Sequence, residues 1–313
     1  MFCSTIIATV NRPTLDRAIE SVLTQDFPPE NHELIVVNDT GIPLPAREWL
    51  ESNKVKILRT HKRERSVARN TGAAIGQGRY LHFLDDDDWL LPGALQAFWE
   101  IAERNPKAWL YGSTQLVDRS GNELIQLQHG LRGNCFTQIM AGEWIPLQSS
   151  IISTELFFQV GGFSTSLTAT EDIDLCRRIA LQGDFDFTKK VVACVGMGEE
   201  ASTTNYVRSE AASLDSRERI LDQPGVFKRL RDSASSSNLT GRMVRVYSTS
   251  AVWNIKKGKY TKAFSRFVFA LFSFFYSGRS VFRPVYWQAI SNPYTSDTFL
   301  RGFQEAGLPV TRR

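Results

Sequence analysis

Four consecutive aspartates, Asp85–Asp88, stand directly behind the apolar segment YLHFL that begins at Tyr80. Adjacent carboxylates repel one another, so such a run must be solvated, lie at a turn or a helix N-terminus, or bind a cation. Carboxylates at the end of a buried strand suit a hard divalent ion such as Mg²⁺ or Mn²⁺, which also shares phosphate oxygens. The place of the run in the fold therefore decides between a solvated loop and a metal site.

A second pair of carboxylates, Glu171 and Asp172, follows Thr170 at the start of a helical pattern. A threonine before two acids is typical of any helix N-terminus, because the hydroxyl caps the helix and acids complement its dipole. The alternative is a general base, which takes the proton from an attacking hydroxyl group. The residue types alone leave both interpretations open.

Alternating strand and helix patterns precede the aspartates. We predict helices after Thr14, which is expected to cap the first of them, and over Val67–Gly76, and strands over Ser4–Val10, Glu33–Val37, Val55–Leu58 and Tyr80–Leu84. This order is typical of a mostly parallel sheet, whose ligands bind beyond the carboxyl ends of the strands. Thr9, Asp39 and the aspartates all fall at such ends, which favours the metal site.

A metal ion at the aspartates implies a diphosphate, and hence a nucleotide. The glycine-rich stretch Gly72–Gly78 closes a helix instead of opening one after a strand, so it is not a phosphate loop. Phosphate binding must therefore depend on the metal, with arginines as further candidates: Arg59, Arg63, Arg65 and Arg69. Asp39 is either a turn residue or an acceptor for the NH of a base.

Together these motifs resemble family 2 of the glycosyltransferases, which are inverting nucleotide-sugar enzymes of the GT-A fold. The resemblance rests, in the order found in the family, on TVNRPTLDRAIESVLTQ, ELIVVNDTG, SVARNTGAAIGQGRYLHFLDDDDWLLPGAL, GGFSTSL and TEDIDLCRRIALQG. It implies an α/β fold of the GT-A (Rossmann-like) type, with a mostly parallel sheet flanked by helices. We expect a helical C-terminal extension beyond it.

The resemblance also implies roles for individual residues. Asp172 would be the catalytic base, with Glu171 beside it. Asp85, Asp87 and Asp88 would hold Mn²⁺ or Mg²⁺, with Asp85 and Asp87 as the DxD pair. The nucleotide-sugar site is expected to contain Thr9, Asn11, Arg12, Asp39, Arg65, Asn70 and Asp86.

Two departures from the family pattern matter. Asn38 stands where the family usually has the first of two aspartates, which leaves Asp39 as the residue expected to contact the base. The QxxRW element of the processive polysaccharide synthases is missing from the sequence, and so are their membrane spans. A single-transfer enzyme is therefore expected.

The expected activity is transfer of a sugar from a nucleoside-diphosphate sugar, UDP-linked, to an acceptor hydroxyl with inversion, in cell-surface polysaccharide or glycan synthesis. A glycosidase would need a second carboxyl group to protonate its leaving group, whereas a metal-neutralised diphosphate leaves without a proton. The alternatives are a sugar nucleotidyltransferase and a non-catalytic GT-A-like binding module. The first normally has a Gly-rich loop where this chain has NRPT, and intact DDDD and TED argue against the second.

The chain has 313 residues, a net charge of +4 and an ordinary globular composition. We divide it into a GT-A catalytic domain over 1–213, with a nucleotide and metal half (1–105) and an acceptor half (106–213), and a helical, basic region over 214–313. A hairpin is predicted over Trp109–Leu127, and helices over Arg217–Arg231 and Arg242–Lys256 with a loop at Ser233–Asn238. Isolated cysteines and the lack of a leader indicate a cytoplasmic protein.

The C-terminal region is distinctive because nine basic and no acidic residues occur from Arg242 to Arg283. Its apolar segment Ala263–Tyr276 is too short to span a bilayer and contains Arg266. The segment either packs on the catalytic domain or lies on the inner, anionic face of the membrane, beside a glycan or lipid-linked acceptor. Nucleic acid is not expected, because no nucleic-acid motif accompanies these charges.

Overall fold

The computed structural model describes residues 1–291 except 62, 119–120, 168 and 197–205, and it gives only the backbone of 206–210. Within these residues the strands are β1 (Cys3–Thr9), β2 (His32–Asn38), β3 (Val55–Arg59), β4 (Tyr80–Asp85), β5 (Trp89–Leu90), β6 (Trp109–Val117), β7 (Glu123–Leu127), β8 (Ser150–Ser153) and β9 (Phe185–Gly196). The helices of the same residues are α1 (Leu15–Leu23), α2 (Arg65–Ile75), α3 (Ala94–Arg104), α4 (Phe136–Ala141), α5 (Thr154–Gln159), α6 (Glu171–Gln182), α7 (Tyr206–Leu221), α8 (Val226–Ser233), α9 (Ser237–Lys256), α10 (Tyr260–Tyr276) and α11 (Pro284–Ser291).

The strands form one sheet in the order β3-β2-β1-β4-β8-β6-β9-β5, and β7 pairs with β6. β1 pairs in parallel with β2 and β4, and β2 pairs in parallel with β3. β8 runs antiparallel between β4 and β6, so the sheet is mixed beyond β4. The α/β GT-A fold class with a helical C-terminal region is confirmed, with β1 to β4 as one parallel block and β6 and β9 as a further parallel pair.

Helices cover both faces of the parallel strands, which explains their continuous apolar sequences. Ile6, Ile35 and Val37 belong to the core on one face, whereas Ile7 and Val36 belong to the core on the other. The helix predicted after Thr14 is confirmed as α1, and its apolar side chains at helical spacing, Leu15, Ala18, Ile19 and Val22, are buried.

Helix α2 lies unusually close to the sheet. A Cβ atom on Gly72 would lie 2.5 Å from Cγ2 of Ile6 and 3.0 Å from Cγ2 of Val37. Only glycine permits this approach without displacing the strands. The helix begins at Arg65, two residues before the predicted start, because the Glu64 carboxylate caps it by accepting from the backbone N–H groups of the second and third helical residues.

The predicted hairpin over Trp109–Leu127 is confirmed as β6 and β7, although part of its turn lies outside the described residues. The single helix predicted over Arg217–Arg231 is wrong. α7 ends at Leu221 and α8 begins after Gly225, which has a φ of +79° and follows Pro224. Both residues interrupt a helix, because proline lacks the N–H and glycine readily adopts a positive φ.

The serine-rich loop predicted over Ser233–Asn238 is shorter than expected. Ser236 caps α9 by accepting from the Leu239 N–H, so the helix begins at Ser237. The domain boundary predicted after residue 213 falls inside α7, and the division stays a prediction. Among the described helices, none combines the length and the apolar character that crossing a bilayer requires.

Candidate active site

The carboxyl ends of β1, β2 and β4 bring the predicted residues to one edge of the sheet. Thr9 is paired with Asn38 across β1 and β2, and the neighbouring Ala8 is paired with Asp85 across β1 and β4. The Asp39 N–H donates to the Thr9 carbonyl oxygen at 2.9 Å. Thr9, Asp39 and the aspartates therefore meet at the edge where parallel sheets bind ligands.

Asp86 faces the protein and is 1% exposed. Its carboxylate accepts from the Thr9 hydroxyl at 2.6 Å and forms an ion pair with Arg12. Its carbonyl oxygen accepts from the Thr14 hydroxyl at 2.7 Å. Among the described residues the Thr14 hydroxyl makes no capping hydrogen bond to α1, so the expectation that it caps this helix is wrong. The hydroxyl instead binds the loop formed by Asp85–Asp88, which we call the aspartate loop. Asp86 anchors that loop to β1, and its contact with a nucleotide stays a prediction.

Asp85, Asp87 and Asp88 form a carboxylate cluster in which one oxygen from each residue lies within 4.8 Å of the others. Burial raises the pKa of Asp88 well above its usual value, and the charges of Asp85 and Asp87 raise it further. The pKa of Asp87 is raised by burial and by Asp85, despite the nearby Arg12. Burial and mutual repulsion thus both disfavour the charged forms of Asp87 and Asp88, and carboxylate oxygens grouped in this way fit a hard divalent cation.

Two partners of this cluster have no signal in the sequence. The Gln148 side-chain amide donates to Asp85 at 2.9 Å, and the Gly196 N–H donates to Asp88 at 2.9 Å. Gln148 precedes β8 and Gly196 ends β9, so both come from the second half of the sheet. An isolated glutamine before an apolar strand is too common to be recognised without the three-dimensional structure.

Arg69 joins the carboxylate cluster to the Glu171–Asp172 pair. Its guanidinium contacts the Asp85 carboxylate and donates to Glu171 at 2.9 Å. Burial raises the pKa of Asp85, but the charge and hydrogen bond of Arg69, together with Arg65 and Gln148, outweigh burial and leave the pKa below its usual value. Among the arginines proposed for phosphate, Arg69 is thus engaged between two acids, whereas Arg65 lies 3.4 Å from Glu171 and is half-exposed.

Glu171 is the first residue of α6 and is 4% exposed. Burial and the neighbouring Asp172 charge raise its pKa, while Arg69 and Arg65 oppose the increase. Glu171 is therefore a buried member of an ion-pair network, and its side chain is held away from bulk solvent.

Asp172 is only partly buried, and its environment differs from that of Glu171. One carboxylate oxygen accepts from the Ile173 N–H at 2.8 Å, and the other accepts from the Trp144 indole N–H at 3.2 Å. Thr170 has a left-handed φ of +62°, and its hydroxyl makes no capping hydrogen bond to the described residues of α6. The interpretation of Thr170 as a side-chain cap is therefore wrong, and Trp144 is a contact that the sequence did not reveal.

Asn70 connects α2 to the loop before α6. Its side-chain carbonyl accepts from the Phe163 N–H at 2.9 Å, and its amide donates to the Phe163 carbonyl at 2.8 Å. A Cβ atom on Gly162 would lie 2.7 Å from the Asn70 carbonyl oxygen, so the loop approaches α2 closely. The structure thus engages both polar groups of Asn70 in positioning this loop, and its contact with a donor stays a prediction.

Asn11 and Asp39, also predicted for the nucleotide-sugar site, are held in place by hydrogen bonds. The side-chain carbonyl of Asn11 accepts from Arg47 at 2.8 Å. The Asn11 backbone has a φ of +65°, which asparagine tolerates better than most residues. The Asp39 carboxylate accepts from the Thr60 hydroxyl at 2.5 Å. Asn38, the departure from the family pattern, accepts from Thr40 and donates to the Ile42 carbonyl, so it shapes the loop after β2.

Comparison with known proteins identifies the class. Residues 4–166 match the profile of "Glycosyl transferase family 2", and the chain belongs to this family. A similar protein of Haemophilus influenzae, described as an uncharacterized glycosyltransferase, is 26% identical over 186 residues, which is 58% of this chain and 63% of that protein.

A second relative, from Campylobacter jejuni, is GalNAc(5)-diNAcBac-PP-undecaprenol beta-1,3-glucosyltransferase. It is 30% identical over 126 residues, which is 38% of this chain and 40% of that protein. Less than two thirds of the length of each of these two relatives is thus matched by this chain. Among solved structures, S. aureus TarS in complex with UDP-GlcNAc superimposes with a TM-score of 0.58 at 14% identity, covering 85% of this chain and 90% of that one. That likeness concerns the fold.

Proposed function

We propose that this protein is a metal-dependent inverting glycosyltransferase that moves a sugar from a UDP-sugar to an acceptor hydroxyl. The observation that carries the proposal is the Arg69 bridge, because Arg69 contacts both Asp85 of the carboxylate cluster and Glu171 beside Asp172. A single displacement requires the site for the diphosphate and the base for the acceptor to be neighbours, and one arginine side chain connects them here.

The nucleotide is bound at the ends of β1 and β2. Asp39, which Thr60 orients, accepts from an NH of the base, and Thr9 lies beside it. Asn11, Arg12, Arg65, Asn70 and Asp86 complete the proposed nucleotide-sugar site. The identity of the nucleotide as UDP is supported by S. aureus TarS, a protein of the same fold that binds UDP-GlcNAc.

Asp85, Asp87 and Asp88 would hold Mn²⁺ or Mg²⁺. The three carboxylates lie close together, and the pKa values of Asp87 and Asp88 are raised, which fits a site for a cation. When bound, the ion neutralises the diphosphate leaving group, so that no general acid is required. The aspartate loop itself is held in place by Thr9 and Thr14, which fixes the cluster relative to the nucleotide.

Asp172 acts as the general base. It takes the proton of the acceptor hydroxyl as the hydroxyl oxygen bonds to the anomeric carbon, while the bond from that carbon to the diphosphate breaks on the opposite face. This single displacement inverts the anomeric configuration. Trp144 orients the carboxylate, and Glu171 holds the start of α6 against Arg69. Asp174 is unsuited to this role, since Ser216 and Arg178 occupy its buried carboxylate at 2.7 and 2.8 Å.

The acceptor is a glycan or a lipid-linked saccharide, and the process is cell-surface polysaccharide or glycan synthesis. The C. jejuni relative, whose name contains an undecaprenol-linked saccharide, supports this choice. We place the protein in the cytoplasm, at the inner face of the membrane.

Two alternatives make different predictions. A sugar nucleotidyltransferase would need a glycine-rich loop after β1, where this chain has residues 11–14 fastened to Asp86. A non-catalytic binding module would bind UDP but release none from a UDP-sugar.

Thermal unfolding in the presence of nucleoside diphosphates tests the donor site. A ligand that binds only the folded state at a hundred times its Kd stabilises it by about 2.7 kcal/mol. We expect UDP with Mn²⁺ to raise the Tm, and either chelation or Asp87→Asn to abolish the increase. Asp26→Asn, which removes an exposed carboxylate in the loop after α1, is the matched control. An equal Tm increase in Asp87→Asn and the wild type would contradict the metal site.

A further inference from the structure

Helix α10 exposes most of its large apolar side chains to solvent, although Phe269 and Phe274 pack against the protein. The positions that face α9 and α7 are Ala263, Arg266, Ala270 and Ser273. The exposed positions are Tyr260, Phe264, Phe267, Leu271, Phe272, Phe275 and Tyr276, with Phe264 69% and Phe275 74% exposed. A surface helix of a water-soluble domain normally has the opposite orientation. The outward face of α10 is therefore an apolar surface that no described residue covers.

Arg266 is the one charged residue of the apolar segment 263–276, and it points inward. Its guanidinium contacts Glu218 at 3.3 Å and Asp222 at 2.5 Å, and it also donates to the Leu221 carbonyl. The arginine that argues against membrane contact in the sequence is thus neutralised inside the protein. Segment 263–276 therefore exposes no charged side chain to solvent.

The apolar surface extends past the end of α10. Phe282, in the turn that follows, is 85% exposed, and Val285 and Trp287 of α11 are exposed as well. Trp287 donates to the Val281 carbonyl at 2.7 Å, which fixes the turn against α11. We call the outward residues of α10 together with Phe282, Val285 and Trp287 the aromatic face. It brings ten exposed apolar side chains together, whereas soluble proteins commonly expose such residues singly.

Cationic side chains border the aromatic face at both ends. Lys256 and Lys259 precede α10 and Arg279 and Arg283 follow it; all four are exposed, and none has a carboxylate partner among the described side chains. Lys257 and Lys262, by contrast, are paired with Asp215 and Asp222. The border therefore carries positive charge that attracts an anionic surface.

We propose that the aromatic face inserts into the interfacial layer of a bilayer that contains anionic phospholipid, with α10 parallel to the membrane plane. Aromatic side chains favour this layer, and the cationic border would contact the lipid phosphates. A second copy of the chain is the less suitable occupant, because two such borders would repel each other across the contact. The proposal extends the proposed function by placing the enzyme beside a lipid-linked acceptor, but it concerns binding alone.

Flotation of the full-length chain with liposomes tests the proposal. We expect recovery with vesicles of phosphatidylcholine and phosphatidylglycerol in equal parts, and much less recovery with phosphatidylcholine alone. The variant Phe264→Ser, Phe267→Ser, Phe275→Ser should reduce recovery at least about tenfold, since it removes three of the exposed phenylalanine rings from the inserted face. The control variant Ile57→Ser, Ile75→Ser, Phe158→Ser also loses three exposed apolar side chains, outside the aromatic face, and should float like the wild type.

A second variant, Lys256→Gln, Lys259→Gln, Arg279→Gln, should lose the preference for anionic vesicles. Equal recovery of the wild type with and without vesicles would overturn the proposal, and so would equal recovery of the aromatic variant and its control. A wild-type dimer that the aromatic variant converts to a monomer, without vesicle binding, would assign the face to self-association instead. The Tm increase with UDP should be unchanged in every variant, so failure here is distinguishable from failure of the proposed sugar transfer.

Discussion

Arg69 and Glu171 form a buried ion pair with a donor–acceptor distance of 2.9 Å, and their side chains are 4% and 5% exposed. They lie 102 residues apart in the sequence and connect α2 to α6. Because Arg69 also contacts Asp85, removal of its charge would leave two carboxylates without their shared partner. Breaking a buried pair in this way is costly, since the remaining charge stays buried without compensation.

We therefore expect Arg69→Gln to lower the free energy of unfolding by about 3–5 kcal/mol. Arg79→Gln is the matched control, because Arg79 pairs with Glu103 at 2.7 Å while both side chains are 49% exposed. Such exposed pairs contribute about 1 kcal/mol or less. Urea unfolding of both variants measures the difference, and equal losses of stability would show that the Arg69 bridge contributes no more than a surface pair.

Asp172→Asn separates a base from an ordinary acid at a helix N-terminus. If Asp172 only complements the helix dipole, its loss costs at most about 1 kcal/mol and leaves turnover intact. As a general base, its loss should slow release of UDP from the UDP-sugar by about 10²–10⁴-fold, while UDP still raises the Tm. Glu155→Gln, which removes an exposed acid from the first turn of α5, is the control and should leave turnover unchanged.

Trp144→Phe should have an intermediate effect, since it removes the indole N–H that contacts Asp172 but keeps the carboxylate itself and an aromatic ring beside it. Near-normal turnover by Asp172→Asn would return this aspartate to a structural role. The base would then have to be Glu171, whose variant Glu171→Gln should otherwise be impaired less severely.

A buried and a half-buried histidine make stability depend on pH. Burial lowers the pKa of His82 to about 4, and burial together with His82 lowers the pKa of His32 to about 4, from an ordinary value of 6.5 in each case. Between these values the unfolded chain binds protons that the folded chain does not. The free energy of unfolding should therefore fall as the pH falls below 6.5, by about 1.4 kcal/mol per pH unit for each histidine.

His82→Gln should reduce this slope between pH 6.5 and pH 5, because it removes one of the three histidines whose pKa burial lowers, His129 being the third. His61→Gln, which changes an exposed histidine, should leave the slope unchanged. The measurement is urea unfolding across that pH range. A slope that is identical in His82→Gln and the wild type would contradict the assignment to His82.

The sequence was sufficient for the parallel half of the fold because its signals are local. Apolar strands ending in polar residues predicted β1, β2 and β4, and placed Thr9, Asp39 and the aspartates at one edge. The grouping of Asp85, Asp87 and Asp88 followed from that placement. The direction of β8 had no local signal, because strand orientation depends on the chain path that surrounds it.

The missed contacts are long-range. Arg69 was one of four arginines considered for phosphate, of which only Arg65 was assigned to the nucleotide-sugar site, because the pairing of Arg69 with Glu171 depends on how α2 and α6 meet. Gln148 and Trp144 reach the site from segments with no motif of their own. The orientation of α10 was also hidden, since composition shows that the helix is apolar but only packing shows which residues face outward.

The missing side chain of Gly72 determines how deeply Arg69 reaches into the site. Gly72 lies one turn after Arg69 on the same face of α2, and its contact with Ile6 and Val37 fixes the distance between helix and sheet. A larger residue at this position would move α2 outward and draw the guanidinium away from Asp85. Asp85 would then interact less with Arg69 and would be more available to the proposed divalent ion. The separation of a helix from a sheet thus sets the strength of an ion pair at the edge of that sheet.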